Sequence, residues 1–212
     1  MKTLFLSICL ALPAMVPAQD ISREEKILSA LLDTIGELHY QRKPNPDSVQ
    51  ATNERFREKL IHTLENNPET FDYVFILLRE KMLIITSPDS MLKAYTWRAA
   101  NPGLLKDWQT IYQYRNKDTS FTFNLPGNDE RSIACRNIFV RPELFGTIYH
   151  IDIFAEYSSA EHLAGIQSFV IYNGRVIPKQ SVNGSWESSF YHIIYNPALC
   201  TIIDNRKILP KE

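Results

Sequence analysis

The apolar residues of this chain change their period once, and that change limits the fold more than any other feature. Between Ser22 and Asn66 they recur every three or four residues, the spacing of one buried helix face. From Met82 onward they fall into short runs rich in Val, Ile, Thr, Tyr and Phe, broken by turn formers. A chain that is helical first and strand-rich afterwards, with short links between strands, is expected to be α+β. Its N-terminal helices would then cover an antiparallel meander sheet, a curved sheet or a partial barrel.

The helical part resolves into two segments. Ser22-Arg23-Glu24-Glu25 has the form of a capping box, and Ile27, Leu28, Leu31, Leu32, Ile35 and Leu38 continue one apolar stripe. The two prolines of QRKPNPD (41–47) end that helix. A second helix is expected from Asp47 or Ser48 to about Asn66, with Phe56, Leu60, Ile61 and Leu64 inward. FDYVFILLREK (71–81) fits either a short helix or a buried strand.

Candidate strands are 82–87, 91–97, 110–115, 120–125, 147–157, 166–172, 189–195 and 199–204. Asn173-Gly174 is the clearest tight hairpin turn, because both residues tolerate positive φ. Ser87-Pro88-Asp89-Ser90 suits a type I turn. Strand alternation after it places Met91, Lys93, Tyr95 and Trp97 on one face, with Leu92, Ala94 and Thr96 on the other. A calcium loop would need a denser run of oxygen ligands than Asp89 and two serines provide.

The first eighteen residues read as a signal peptide: Lys2, then the apolar run Leu4–Leu12, a Pro13 break, and Val16-Pro17-Ala18. Cleavage is expected near Ala18, giving a protein that is periplasmic or secreted, and no second run is long enough to span a membrane in the mature chain. Residues 19–81 would form the helical part and 82–212 the β-rich part, together one domain. Lys2 is the only charged residue removed, so the net charge goes from −1 to −2. That balance provides no electrostatic footprint for nucleic acid. Cys135 and Cys200 remain, either as two buried thiols or as a disulfide contributing about 2–4 kcal/mol.

The pattern S-x-D-x-x-L-K-x-Y-x-W from Ser87 to Trp97, followed by Tyr112-Gln113-Tyr114, resembles a group of uncharacterised exported bacterial proteins of gut-anaerobe type. Their usual form is Ser-x-Asp-Gly, a Tyr-Ser-Trp-Asp strand end and a Gly-rich loop. This chain has Ser90, Thr96 and Arg98 at the Gly, Ser and Asp positions. The resemblance implies export and a helix-then-sheet plan, and carries no activity.

Two sets of residues could carry function. In YHIDIFAEY, His150, Asp152 and Glu156 share a strand face, and a His with a carboxylate serves metal binding or acid–base work. Strand rise of nearly 7 Å per two residues separates His150 from Glu156 by about 20 Å, so a compact site would use His150 and Asp152, with His192 as a third member. The bland account is a strand with one solvated face. The second set is aromatic: Tyr95, Trp97, Trp108, Tyr112 and Tyr114, any exposed faces of which could pack on a sugar. No nucleophile elbow, H-E-x-x-H, Walker loop, dinucleotide fingerprint or C-x-x-C is present. The expectation is therefore a non-catalytic binding module for an envelope protein or a glycan. The alternative is a hydrolase or metal-dependent enzyme using His150 and Asp152, and the sequence names neither a cofactor nor a metal.

Overall fold

A computed structural model describes residues 18–40, 45–99, 107–117, 120–125, 133–144, 146–156, 162–178, 193–196 and 201–204. The expected signal-peptide run, Cys200, His192 and Trp186 lie outside them.

Two helices come first, α1 (Ala18–Tyr40) and α2 (Pro46–Asn66). Helix α1 starts before the expected capping box, so Ser22 and Glu25 lie inside it. Helix α2 starts just before the expected Asp47: the Asn45 side chain accepts a hydrogen bond from Asp47 N at 3.0 Å, and Pro46 occupies the first turn, where no amide donor is needed. Leu28, Leu32 and Ile35 of α1 and Val49, Phe56, Leu60 and Leu64 of α2 are buried, whereas Ile27 is exposed at the stripe's margin.

The segment after α2 is neither the helix nor the strand its sequence allowed. It makes two single 3-10 turns, Pro68–Phe71 and Leu78–Glu80, joined by an irregular link that turns at 76–77. Phe71 and Phe75 point inward while Val74 and Ile76 point out. Glu25 explains why this conformation holds. Its buried carboxylate accepts from Leu77 N (2.7 Å), Leu78 N (3.3 Å) and the Tyr73 hydroxyl (3.0 Å), satisfying amide donors at the start of the second turn.

The strands form two four-stranded antiparallel sheets and a separate pair. The first sheet is β1 (Leu83–Thr86), β2 (Leu92–Ala99), β3 (Asp107–Arg115) and β4 (Ser120–Phe123), in that order. The second is β5 (Ala134–Glu143), β6 (Gly146–Glu156), β7 (His162–Tyr172) and β8 (Arg175–Pro178). Strands β9 (Ile193–Asn196) and β10 (Thr201–Asp204) pair with each other. Every pairing joins consecutive strands, so both sheets are meanders, and among the described residues neither closes into a barrel.

The first sheet is the middle layer. Tyr95, Trp97 and Ile111 pack with the helices, where Phe56 meets Trp97 edge-on with ring centres 5.0 Å apart. Leu92, Ala94 and Tyr112 face the second sheet and meet Ile138, Tyr149, Ile151 and Phe169. Strand β2 is consequently buried on both faces, as the alternation at 92–97 implies when each face has a neighbour.

A chain of hydroxyls ties the sheets together. Thr110 Oγ1 donates to Ile133 O at 2.9 Å, so the 2.8 Å contact between the two threonines is Thr96 donating to Thr110. Thr96 Oγ1 in turn accepts from Cys135 N at 3.3 Å. Each hydroxyl gives one hydrogen bond and takes one, leaving no donor in the chain unspent.

Strand β5 contains a bulge. Cys135 pairs with Ile153 and Asn137 with Asp152, so Arg136 is the extra residue. The insertion lets both Cys135 and Ile138 face the core while Arg136 and Asn137 stay exposed. At the other end of the sheet, Asn173 (φ 48°) and Gly174 (φ 70°) make the expected tight turn between β7 and β8.

Candidate functional site

The stretch from Ser87 to Trp97 is a hairpin, and its polar residues are occupied in holding it. Ser90 N donates to Ser87 O (2.9 Å) and Ser87 N to Leu92 O (2.8 Å). Asp89 Oδ1 accepts from Ser87 Oγ (2.5 Å) and Met91 N (3.2 Å), and its Oδ2 accepts from the Tyr149 hydroxyl (2.9 Å) on the second sheet. Burial, with the Asp89 carboxylate beside it, pushes the Tyr149 hydroxyl well above the ordinary tyrosine range. The turn is a structural clamp between layers.

The aromatic candidates separate by exposure. Tyr95, Trp97 and Tyr112 are fully enclosed, and a sugar could not reach their faces. The Tyr95 hydroxyl donates to Gln113 Oε1 at 2.9 Å, and Gln113 Nε2 donates to Leu64 O and Thr70 Oγ1, which joins the sheet to the end of α2. Trp108 and Tyr114 are half-buried. Tyr114 packs on Phe121 and Tyr149, with ring centres 5.5 and 6.3 Å away. Four of the five thus stand on opposite faces of one sheet: Tyr95 and Trp97 toward the helices, Tyr112 and Tyr114 toward the second sheet.

His150 and Asp152 do share a strand face, and each has taken a different neighbour. His150, buried, has Nδ1 2.8 Å from Ser168 Oγ on β7. Its pKa lies below the ordinary histidine value, chiefly through desolvation and secondarily through Arg141. Asp152 is paired with Arg136 of the bulge at 2.8 Å, and that guanidinium also covers the Phe154 ring, 5.1 Å from its centre. A serine next to a neutral imidazole has the composition of a nucleophile and base. The pair sits in mid-strand, with His150 on β6 laddered to β5 and β7, while β7 meets β8 only from Phe169 onward. A hydrolase needs amide donors aimed at a developing oxyanion, and the β6 backbone beside His150 is committed to ladders on both sides. Among the described residues no three His, Cys, Asp or Glu side chains converge as metal ligands.

Cys135 is buried with its thiol free, beside the Tyr112 hydroxyl, and desolvation raises its pKa to about 12. Its suggested partner, Cys200, is outside the described residues. No helix among those residues is long and apolar enough to cross a membrane.

One ionisable group that sequence motifs do not flag is Lys93. It is 4% exposed, on the same face as Tyr95 and Trp97. The signal was present in the alternation: a lysine in phase with two core aromatics is a lysine pointing into the core.

No family model, no curated protein and no solved structure matches this chain.

Proposed function

We propose that this is an exported, non-catalytic interaction module whose partner is a protein, with the hydrolase at His150 and Asp152 as the rival reading. The single observation that supports a protein partner is the pair of exposed apolar side chains on the link between the two 3-10 turns. Val74 and Ile76 are 53% and 67% exposed there, two β-branched side chains held outward by the inward anchoring of Phe71 and Phe75. Exposed β-branched side chains close together suit a protein surface, whereas stacking on a sugar calls for exposed aromatic faces. The proposed export follows from the N-terminal apolar run.

The test is site-specific photo-crosslinking in the native host, with the probe at position 76 and a control probe at Glu58, exposed on α2. A discrete protein adduct at 76, absent at 58 and lost in Val74→Ser/Ile76→Ser at unchanged melting temperature, is the expected result. A glycan screen answered by the protein and abolished by Tyr172→Ala would replace the protein partner with a sugar. An activity lost in His150→Ala/Asp152→Ala while the fold persists would establish the enzyme instead.

A further inference from the structure

We propose that the β9–β10 hairpin docks on the outer face of the second sheet and adds a third β layer to this chain. The register of that sheet defines the face. Arg141, Ile148, Val170 and Ile177 stand opposite one another across β5, β6, β7 and β8. The residue next to each in sequence, Val140, Tyr149, Phe169 and Val176 in turn, belongs to the interior between the sheets. Alternation therefore turns Ile148, Val170 and Ile177 away from the first sheet. An antiparallel sheet with one wet face carries polar residues there, whereas this one sets three branched aliphatic side chains side by side on three adjacent strands. Ile148 is 5% exposed although it belongs to neither interior, and Ile177 is 45% exposed. Among the described residues no helix or strand forms a layer over this face.

The occupant follows from what the rest of the chain leaves without a place. Strands β9 and β10 hydrogen-bond to each other and to neither four-stranded sheet. A lone two-stranded hairpin is at best marginally stable in water, and a packed face is what makes it persist. Five of its eight strand residues are Ile or Tyr, with Ile194 opposite Ile203 and Tyr195 opposite Ile202. Both faces of the first sheet are taken, one by the helices and the other by the second sheet. The outward side of α2 is charged, with Glu54, Arg57 and Glu58 exposed. The outer face of the second sheet is what remains for an apolar hairpin. Chain length permits the contact. Strand β8 ends at Pro178, next to Ile177, and the 179–192 link to β9 can span about 45 Å, against roughly 15 Å across four strands. His150 and Ser168 occupy the next outward row of β6 and β7, so they lie beneath the same cover.

The experiment is NMR on the full chain with ¹³C-labelled Ile and Val methyl groups, joined to amide hydrogen exchange. Cross-relaxation is expected between methyls of Ile194, Ile202 or Ile203 and those of Ile148, Val170 or Ile177, at an intensity per molecule that does not change with protein concentration. Two double variants test the contact from its two sides, Val170→Lys/Ile177→Lys on the face and Ile202→Ser/Ile203→Ser on the hairpin. Each should speed exchange of the remaining β9 and β10 amides by about tenfold or more, while the amides of α2 and β2 keep their rates. Those unchanged rates show that the variants still fold. The proposal is overturned if the methyl contacts are absent, or if hairpin protection survives both double variants. Contacts that appear only as concentration rises would also overturn it, because the occupant would then be a second copy of the chain.

Discussion

Ser90 stands at φ 56°, in the left-handed region, at the exit of the turn that leads into β2. For a residue with a Cβ, that conformation costs about 1–2 kcal/mol relative to the right-handed one. The hairpin imposes it: the bond from Ser90 N to Ser87 O and the bond from Ser87 N to Leu92 O can both close only if the chain turns back sharply between them. The Ser90 side chain is exposed and makes no hydrogen bond among the described residues, so replacing it removes no contact. Ser90→Gly should relieve the strain and lose about 0.4–1 kcal/mol through the freer unfolded chain. The balance is a gain of about 0.5–1 kcal/mol, or roughly 1–4 °C in melting temperature for a chain of this size. Calorimetry with urea titration would read it, and Ser90→Ala, which retains the Cβ, should show no gain. If Ser90→Gly melts at or below the Ser90→Ala variant, the turn is not strained in this way.

Thr96→Val keeps the shape of the side chain and removes the middle of the hydroxyl chain, leaving the Cys135 amide without its acceptor. About 1–3 kcal/mol should be lost in urea unfolding, with the slope unchanged. His150 has a folded pKa below its unfolded value, so its contribution is present above pH 6.5 and is lost as pH falls through the folded pKa. His150→Gln should flatten that part of the acid limb in a pH series of melts. The Cys135 thiol, buried and with its pKa near 12, should resist a disulfide-exchange reagent at neutral pH in a Cys200→Ser variant, reacting only once denaturant opens the core.

The helices and most strands could be read from the sequence because a single physical signal fixed each. Helix α2 has an apolar stripe, β2 has alternation after a turn, and Asn173-Gly174 has a turn that needs positive φ. Strand β5 escaped notice because its bulge breaks alternation: Cys135 and Ile138 both point inward across Arg136 and Asn137, a spacing that matches neither period. Pro142 within it and Pro178 in β8 also argue locally against strand, and both lie near the ends of edge strands, where a missing donor matters less. The 71–81 segment was ambiguous for another reason. Its conformation is held by Glu25, more than forty residues earlier, and no local pattern could reveal that carboxylate.

Less of the candidate site was legible. Alternation placed His150 with Asp152 on one face correctly, yet Ser168 and Arg136, the residues they bond, come from strands whose register the sequence does not disclose. Exposure was the other unknown. The aromatics of β2 and β3 have the same composition whether they face solvent or a second layer. Only the layering of helices, first sheet and second sheet decides that Tyr95, Trp97 and Tyr112 are interior.

That layering also limits how the protein can vary. An ordinary surface strand absorbs a one-residue insertion by letting its solvated face shift, but β2 has no such face to give up. A slip of one position would send Tyr95 and Trp97 toward the space filled by Ala94 and Thr96, and send those small residues into the aromatic pocket under α2. Length changes in Leu92–Ala99 would therefore disorder two interiors at once. The chain can grow at its hairpin tips, beyond the pairs that fix the register, and the turn at Asn173-Gly174 is such a tip, exposed among the described residues.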